Sequence, residues 1–356
     1  MKKTPHATLA DIAREARVGT STVSRVVRGG ARVSPETLER VRAVIRKFDY
    51  QPNDAARILK GERTKTIGLI VPSVADSFFA ICAEAAQEIS RSHGFLLIVT
   101  CSNNDSRLEL ENLNKLVQRR VDGLLLAPAT SRNEELVQIL SRASIPVVSF
   151  DRPIHDSSIP SVVSHNYRGA KEATRHLISH GYKRIVCLGM KGEDSLYTNK
   201  ERIRGYRTAM QEANLPPKID VSINNYESAE LALKAYLYGV NPPDAIFALR
   251  NLVTIYVFEA LHKLRVRVPK KVALVGFDDF QLASALQPAI TVVKQEMELM
   301  GKMAAELLFE QLTIKRQSIK AADAVDSSGI RWLEADLIIR DSCGCHAEDG
   351  FNSSRK

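Results

Sequence analysis

Residues Thr20-Ser-Thr-Val-Ser-Arg-Val-Val27 carry the clearest structural pattern in the first part of the chain. Its valines, Val23, Val26 and Val27, recur at the spacing of one face of an α-helix. The opposite face carries hydroxyl groups near the helix start and guanidinium groups farther along. These outward-facing residues are Thr20, Ser21, Ser24, Arg25 and Arg28. The pattern predicts an amphipathic helix whose outer face is rich in hydrogen-bonding groups.

Such a face is suited to duplex DNA. Hydroxyl groups bond phosphates or base edges, and an arginine can pair with guanine through two hydrogen bonds in the major groove. The same pattern is also compatible with an ordinary polar face in contact with solvent. The stretch alone leaves both interpretations open.

A further helix is predicted on each side of this stretch. Thr8 stands three residues before Asp11, which is the spacing of a capping box. Ser34 and Pro35 begin the other helix with a cap residue and a proline at the first helical position. Its predicted inner face consists of Leu38, Val41, Ile45 and Phe48. Because three short apolar faces can bury one another, residues 1–52 are predicted to form a three-helix, helix-turn-helix domain.

Positive charge is concentrated at the start of this chain of 356 residues, whose net charge is +9. The first 60 residues hold 13 lysines and arginines against six acidic residues, whereas the remaining 296 hold 37 against 35. A small basic module beside a near-neutral body is typical of nucleic-acid binding, since each neutralised phosphate releases condensed counterions. Charge alone is equally compatible with a solvated basic face.

The composition, 44% hydrophobic and 26% charged, predicts a folded globular protein of more than one domain. No stretch approaches the ~18 apolar residues of a membrane helix, and the first residues lack the apolar run of a signal peptide. Five scattered cysteines do not resemble a disulfide framework. We therefore expect a cytoplasmic protein without a membrane partner. Cys343-Gly-Cys-His346 offers three soft ligands where a structural zinc site needs four, so no metal is predicted.

From residue 65 onward, short apolar runs alternate with amphipathic stretches in about ten units. Runs that are apolar on both faces predict parallel sheets. The fold class is therefore α/β. The three-helix domain is followed by two doubly wound subdomains, whose ligand sites lie at the carboxyl ends of strands. No nucleotide-binding glycine motif, nucleophile series or paired carboxylates appear at useful spacing, so neither a cofactor nor catalytic residues are expected.

Four motifs, in order, resemble the DNA-binding headpiece of the lactose/galactose repressor (LacI/GalR) family. They are Thr8-Leu-Ala-Asp-Ile-Ala13, Thr22-Val-Ser-Arg-Val-Val27, Val33-Ser-Pro-Glu-Thr37 and Tyr50-Gln-Pro-Asn53. The resemblance implies that Thr20, Ser21 and Arg25 read bases. It also implies that Thr8, Thr22 and Ser24 hold the DNA backbone. Arg28 stands where the family commonly has asparagine and adds a cation.

Two turn positions depart from the family pattern. Arg17 replaces the usual glycine, which would cost about 1–2 kcal/mol if the residue is left-handed. Gly19 replaces the usual serine cap and so removes one side-chain acceptor from the start of the reading helix. The departures leave the predicted fold intact and bear on the DNA sequence that is recognised.

Residues 53–64 are predicted to be a hinge helix and linker. Asn53 can cap the helix, but its eight residues are too few for a stable isolated helix in water. The resemblance implies that it folds only on DNA, pairs with its twin in a second subunit and wedges Leu59 into the minor groove. Ala56 would lie beside the wedge and Lys60 near a phosphate. The alternative is a plain linker with a buried leucine.

The remainder resembles the type I periplasmic-binding-protein fold that forms the family's effector core. Motifs that carry this resemblance include Ile67-Gly-Leu-Ile-Val-Pro72, Val275-Gly-Phe-Asp-Asp279 and Ile338-Ile-Arg-Asp-Ser-Cys343. The implied core spans residues 65–343 and is followed by a polar tail, 344–356. Its N-subdomain would contain residues 65–163 and 293–324, and its C-subdomain residues 164–292 and 325–340. The chain would cross between them near Ser164, Val292 and Val325.

Candidate effector contacts follow from the same resemblance. They are Asp76, Phe79, Arg202, Arg250 and Asp278. Arginine and aspartate can clamp hydroxyls or a carboxylate, and an aromatic ring can cover an apolar face. Arg250 stands where the family usually has a neutral residue, and a buried unpaired cation costs several kcal/mol. It therefore favours an anionic sugar derivative or a nearby acid, the alternative being an Arg250 that points to solvent or pairs within the protein.

Together these features predict a transcription repressor that binds a near-palindromic operator in double-stranded DNA as a homodimer and responds to a small-molecule effector, a sugar or sugar derivative. A solute-binding protein is the first alternative, and the basic headpiece argues against it. A sugar-modifying enzyme is the second, and it lacks a nucleophile or metal set.

Overall fold

The computed structural model describes residues 7–27, 29, 32–50, 63–155, 159–314 and 329–345. They belong to two compact units, and the boundary between the units falls between Thr64 and Lys65. Among the described residues, no helix combines the length and the apolar character that crossing a membrane requires.

The described residues of the first unit form three helices. They are α1 (Leu9–Glu15), α2 (Thr20–Val27) and α3 (Pro35–Lys47). Thr8 and Asp11 form the predicted capping box of α1, and the Ser34 side chain caps α3. The core of this unit consists of Ile12, Ala13, Ala16, Val23, Val26, Val41 and Val44. The three short apolar faces therefore bury one another, as predicted.

One residue of the predicted inner face of α3 is placed differently. Phe48 is 39% exposed, whereas Val44 is buried in its stead. The helix ends at Lys47, and Phe48 is the C-cap residue that follows its last turn. Val44 follows Val41 by three residues and so lies on the same inner face.

The second unit contains two six-stranded sheets. The first sheet consists of β1 (Thr66–Val71), β2 (Leu96–Cys101), β3 (Gly123–Leu126), β4 (Val147–Phe150), β5 (Ser161–Ser164) and β11 (Ile330–Leu333). The second consists of β6 (Ile185–Met190), β7 (Lys218–Ile223), β8 (Ala245–Ala248), β9 (Ala273–Phe277), β10 (Thr291–Gln295) and β12 (Ala335–Ile338). Their spatial orders are β11-β5-β4-β3-β1-β2 and β12-β10-β9-β8-β6-β7. All neighbouring strands are parallel except β12 and β10.

Helices cover both faces of each sheet. We call each sheet with its helices a lobe. The helices of the first lobe are α4 (Ser77–Ser92), α5 (Ser106–Gln118), α6 (Glu134–Ala143) and α11 (Met297–Ile314). Those of the second lobe are α7 (Asn166–Ser179), α8 (Tyr197–Glu212), α9 (Tyr226–Leu237) and α10 (Asn251–Lys263). Apolar clusters lie on each face of each sheet. This arrangement confirms the predicted α/β class with two doubly wound subdomains.

The crossings between the lobes differ from the predicted boundaries. The chain leaves the first sheet after Ser164, but β10 remains in the second sheet as far as Gln295, beyond the boundary predicted at Val292. The third crossing falls at Glu334, and the boundary predicted near Val325 is wrong, because β11 pairs with β5 in the first sheet. Apolar alternation identifies a strand, but it does not identify the sheet edge that the strand joins.

Candidate nucleic-acid interface and ligand cavity

Helix α2 presents the predicted face. Val23 and Val26 are buried, whereas Thr20, Ser21 and Arg25 are exposed. Thr22 and Ser24 are half-buried. Arg25 has no ion pair among the described residues, so its guanidinium group is available to an external partner. The arrangement is that of a reading helix held on its inner side by apolar contacts.

The residues before α2 form the turn that leads into this helix and the hydrogen bonds that begin it. Arg17 is left-handed, with φ of 51°. The carbonyl oxygen of Gly19 accepts hydrogen bonds from the N–H groups of Thr22 and Val23 and so begins the helix. The hydroxyl and N–H groups of Thr8 both donate to Asp11, at 2.6 and 3.0 Å, so a phosphate would compete with the capping box for them.

Five predicted DNA contacts lie outside the described residues. They are Arg28, Asn53, Ala56, Leu59 and Lys60. The hinge assignment therefore stays a prediction.

A cavity of about 500 Å³ lies between the two lobes of the second unit. Residues at or after the carboxyl ends of strands in both sheets line it, which is where doubly wound folds bind ligands. The five residues predicted as effector contacts all line this cavity. They are Asp76, Phe79, Arg202, Arg250 and Asp278.

Arg202 lines the cavity and is 4% exposed. It donates from Nε to Asn166 Oδ1 at 2.7 Å, and from Nη1 to the carbonyl oxygen of Leu249 at 2.6 Å and to Asp278 Oδ2 at 3.3 Å. Its guanidinium group lies 3.8 Å from the centre of the Phe277 ring. These contacts fix the orientation of the side chain, and Nη2 makes no hydrogen bond within the described residues.

The close packing of α8 against α7 positions this arginine. Gly205 faces α7, and a Cβ atom there would collide with the carbonyl oxygen of Tyr167. The absence of a side chain lets the two helices approach closely enough for Arg202 on α8 to reach Asn166 on α7.

Two buried aspartates face the cavity in a strained backbone conformation. Asp151 and Asp278 have φ of 64° and 69°. Burial raises the pKa of both carboxyl groups, opposed chiefly by Arg152 at Asp151 and by Arg202 at Asp278. Asp278 also accepts a short hydrogen bond from Gln295 Nε2. The Oε1 atom of Gln295 is buried and has no partner within the described residues, which leaves an acceptor available to a ligand.

Arg250 connects the two lobes. Its Nη2 donates to Asp76 Oδ2 at 2.5 Å in the first lobe, and its Nη1 lies 2.6 Å from both carboxylate oxygens of Glu193 in the second. Asn251 adds a hydrogen bond of 3.0 Å to Asp76 Oδ1. Burial lowers the pKa of Arg250, but Glu193 and Asp76 outweigh it and keep the pKa above its usual value.

Of the two alternatives that Arg250 favoured, an anionic ligand or a nearby acid, the structure shows nearby acids. The charge of Arg250 is already neutralised by two carboxylates of the protein. The ionisable groups that line the cavity are four acids and three arginines, a formal charge of −1 when all are ionised. They are Asp76, Asp151, Glu193, Asp278, Arg152, Arg202 and Arg250. An anion would enter a site with no surplus of positive charge.

Several cavity residues were not predicted. Arg152 binds Asp151 at 3.0 Å and Asn104 at 2.7 Å, and Asn104 in turn donates to Glu193 across the lobes at 3.2 Å. Asp151 and Arg152 directly follow a buried strand, so the rule that sites lie at strand ends could have found them. Phe79 is 5% exposed and packs edge-on against Phe150, which gives the cavity an apolar wall.

A helix-turn-helix headpiece and a two-lobed core with a ligand cavity define a class: DNA-binding transcriptional regulators with a small-molecule binding domain. Residues 8–53 match the family model of bacterial regulatory proteins, lacI family. Residues 64–326 match that of periplasmic binding proteins and sugar binding domain of LacI family. The chain therefore belongs to the LacI family, which confirms the predicted family and the predicted function as a DNA-binding regulator.

Individual relatives agree with this assignment. The chain is 30% identical over 309 residues to the ribose operon repressor of Haemophilus influenzae, covering 86% of this chain and 92% of that protein. The structure of the transcriptional regulator CelR–cellobiose complex is similar with a TM-score of 0.66 and 29% identity, covering 94% and 99%. The lac repressor dimer bound to operator and the anti-inducer ONPF shares the fold, with a TM-score of 0.81, 22% identity and coverage of 95% and 99%.

Proposed function

We propose that this protein is a transcriptional repressor that binds a near-palindromic operator as a homodimer and whose DNA affinity responds to a sugar bound between its lobes. The observation that carries the proposal is the outer face of α2, where exposed Thr20, Ser21 and Arg25 stand over buried Val23 and Val26. Since its target is DNA, its place of action is the cytoplasm.

The proposed DNA contacts are of three kinds: with base edges, with phosphates and with the minor groove. Thr20, Ser21 and Arg25 read base edges in the major groove, because they are the most exposed groups of the reading helix. Thr8, Thr22 and Ser24 hold phosphates. In the hinge, Leu59 is the minor-groove wedge, and Asn53, Ala56 and Lys60 support it, while Arg28 adds a cation near the backbone.

The ligand is a neutral molecule rich in hydroxyl groups. Carboxylates of Asp151 and Asp278 accept hydrogen bonds from hydroxyls, Arg202 Nη2 donates one, and Gln295 Oε1 offers a further acceptor. Phe79 supplies an apolar wall of the kind that covers the non-polar face of a sugar ring. A ligand binds most tightly in a buried site when it forms a hydrogen bond with each buried donor and acceptor.

The relatives support the same function. The similar Haemophilus influenzae protein is named for repression of a ribose operon, and the similar CelR structure holds cellobiose. The lac repressor, which shares the fold, is a dimer bound to operator. A dimer with two headpieces matches the symmetry of a near-palindromic site.

Binding to DNA can be tested with an operator selected from a random duplex pool. Arg25→Ala is expected to weaken binding to that operator by about 10- to 100-fold, since one bidentate base contact contributes roughly 1–3 kcal/mol of discrimination. Arg42→Ala, an exposed arginine on α3, is the matched control and is expected to keep the ratio of operator to random-duplex affinity. Equal ratios for the two variants would contradict the assigned reading face.

Sugar binding is tested by calorimetry with matched pairs of neutral and phosphorylated sugars. The charge of the cavity predicts binding of a neutral member and at least tenfold weaker binding of its phosphorylated partner. Preference for the phosphorylated member would contradict the proposed ligand class and leave the DNA assignment intact.

A further inference from the structure

Two cysteines near the end of the described chain lie beside two histidines of the second lobe. Cys345 Sγ is 3.0 Å from His176 Nε2, although the two residues are 169 positions apart in the sequence. Cys345 Sγ is also 2.8 Å from Cys343 Sγ. One ligand atom each from His176, His180 and Cys345 lie within 4.8 Å of one another. Three ligand atoms therefore already lie together, and Cys343 Sγ lies next to one of them.

We propose that His176, His180, Cys343 and Cys345 bind one soft divalent transition-metal ion, Zn²⁺ foremost. Two imidazole nitrogens and two thiolate sulfurs are the donor set of tetrahedral structural zinc sites. The prediction that no metal binds rested on three ligands in Cys343-Gly-Cys-His346. The fold adds two histidines that the spacing of this motif could not reveal, and His346 lies outside the described residues.

The two histidines are placed so that both can bind the same ion. His176 lies in the last turn of α7 and His180 is its C-cap, so the two residues are four positions apart on one helix face. Their rings are 4.7 Å apart in an edge-on arrangement. His176 is half-buried and His180 exposed, so an ion can enter from solvent on the His180 side.

The cysteine pair is held in place by the rest of the lobe. Tyr182 donates a hydrogen bond of 2.9 Å to the carbonyl oxygen of Cys343, and the hydroxyl of Ser342 donates to Leu274 at 2.6 Å. Gly344 between the cysteines has φ of +86°, and a Cβ there would lie 2.8 Å from the Tyr182 hydroxyl. The turn that brings the sulfurs together therefore requires glycine, and the two ligands are ordered before any ion binds.

Cys343 Sγ lies outside the group of three ligand atoms within 4.8 Å of one another, so it has to turn towards that group before all four can bind one ion. Ligand atoms at about 2.0–2.3 Å from a tetrahedral ion stand about 3.3–3.8 Å from one another. The 2.8 Å between the sulfurs would thus open by about 1 Å, which the partly exposed Cys345 allows.

The cluster is separate from the sugar cavity. Helix α7 begins at Asn166, whose side chain binds Arg202 in the cavity, and ends at the metal ligands. At 1.5 Å per residue the two ends are roughly 15–20 Å apart. An ion would fasten the segment after β12 to the far end of α7, and its expected effect is on the stability of the second unit.

Cobalt binding to the full chain tests the proposal. Reduced, metal-stripped protein is titrated with Co²⁺ and then with Zn²⁺. We expect one equivalent per chain, the visible ligand-field bands of tetrahedral cobalt, thiolate-to-cobalt charge transfer in the near ultraviolet, and displacement of cobalt by zinc. Zinc is also expected to raise the midpoint of thermal unfolding of the second unit.

Variants establish which residues ligate. Cys345→Ser and His180→Ala, both at partly or fully exposed positions, are expected to weaken cobalt binding by at least about a hundredfold and to abolish the tetrahedral spectrum. His262→Ala and Cys101→Ser, which lie outside the cluster, are the controls and should bind as the unaltered chain does. Absence of cobalt binding, or equal affinity in all four variants, would each overturn the proposal.

Discussion

At the scale of single residues, the turn between α1 and α2 carries a backbone strain that a glycine would relieve. Val18 N–H bonds to the Ala13 carbonyl and Arg17 N–H to that of Arg14, which is the hydrogen-bond pattern of a Schellman cap. The left-handed position in this motif is normally glycine, and here it is Arg17, with φ of 51°.

Arg17→Gly is therefore expected to stabilise the headpiece by about 0.5–1 kcal/mol, because part of the strain relief is offset by the larger conformational freedom of glycine in the unfolded chain. Amide hydrogen exchange of α1 and α2 measures the change. Arg17→Ala is the control, since alanine retains the Cβ and should bring no gain. Equal protection in both variants would mean that strain is not the cause.

A second residue, Glu109, makes stability depend on pH. Its side chain is fully buried, Oε1 accepts a hydrogen bond of 2.6 Å from Ala129 N–H, and Oε2 has no partner within the described residues. Burial raises the pKa of Glu109 from 4.5 to about 7, against the opposing effects of that hydrogen bond and of Arg152.

The folded state consequently holds this proton more tightly than the unfolded chain does. Its contribution to stability is complete below about pH 4.5 and is lost as the pH rises to about 7, by roughly 2–3 kcal/mol. In urea unfolding between pH 5 and 8, Glu109→Gln is expected to remove this slope and to be the more stable form at pH 8. Glu111→Gln, at an exposed position of the same helix, should leave the slope unchanged.

At the scale of elements, the close approach of α7 and α8 determines the geometry of the ligand cavity. Gly205→Ala would place a Cβ against the backbone of Tyr167 and Lys171, which cannot move without shifting α7. We expect a loss of about 1–3 kcal/mol in the free energy of unfolding from overpacking, and weaker sugar binding because Asn166 and Arg202 are displaced. Chemical denaturation and calorimetry measure the two effects.

Arg207→Ala, at an exposed position of α8, is the control for this element and should change neither quantity. Lost stability with unchanged sugar affinity in Gly205→Ala would show that the helix contact does not govern the position of Arg202.

At the scale of the second unit as a whole, Arg250 is the ionic connection between the lobes. Arg250→Gln leaves the carboxylates of Asp76 and Glu193 without their cation at sites that are 7% and 15% exposed. We expect the second unit to lose about 2–4 kcal/mol of stability, because an unpaired buried charge costs more than the pair contributes.

A double-mutant cycle with Asp76→Asn isolates the contact between lobes and is expected to give a coupling of about 1–3 kcal/mol. Asparagine still caps α4, so the helix start is preserved. Arg175→Gln, which breaks an exposed pair with Glu212, is the control and should change stability by less than about 0.5 kcal/mol. Additive effects in the cycle would show that Asp76 and Arg250 stabilise their lobes independently.

Features that lie within one element, or that repeat at regular spacing, could be predicted from the sequence. Examples are the buried valines of α2, the capping box of Thr8 and Asp11, and the alternating strands and helices of an α/β core. They were predictable because local periodicity indicates which face of an element packs against the core. The five candidate effector residues, which the family resemblance implied, share one cavity. Asp76, Arg250 and Asp278 lie there because each follows a strand, and the carboxyl ends of parallel strands gather at one edge of a sheet.

Contacts between groups that are distant in the sequence depend on the packing of the folded chain and could not be predicted. The acids that neutralise Arg250, the sheet that β11 joins, and the histidines of α7 beside Cys343 and Cys345 all depend on how separate segments pack. The charge and type of a residue predict which kind of group its side chain will bind. They do not state which of the chemically equivalent partners, often more than a hundred residues away, the fold brings within bonding distance.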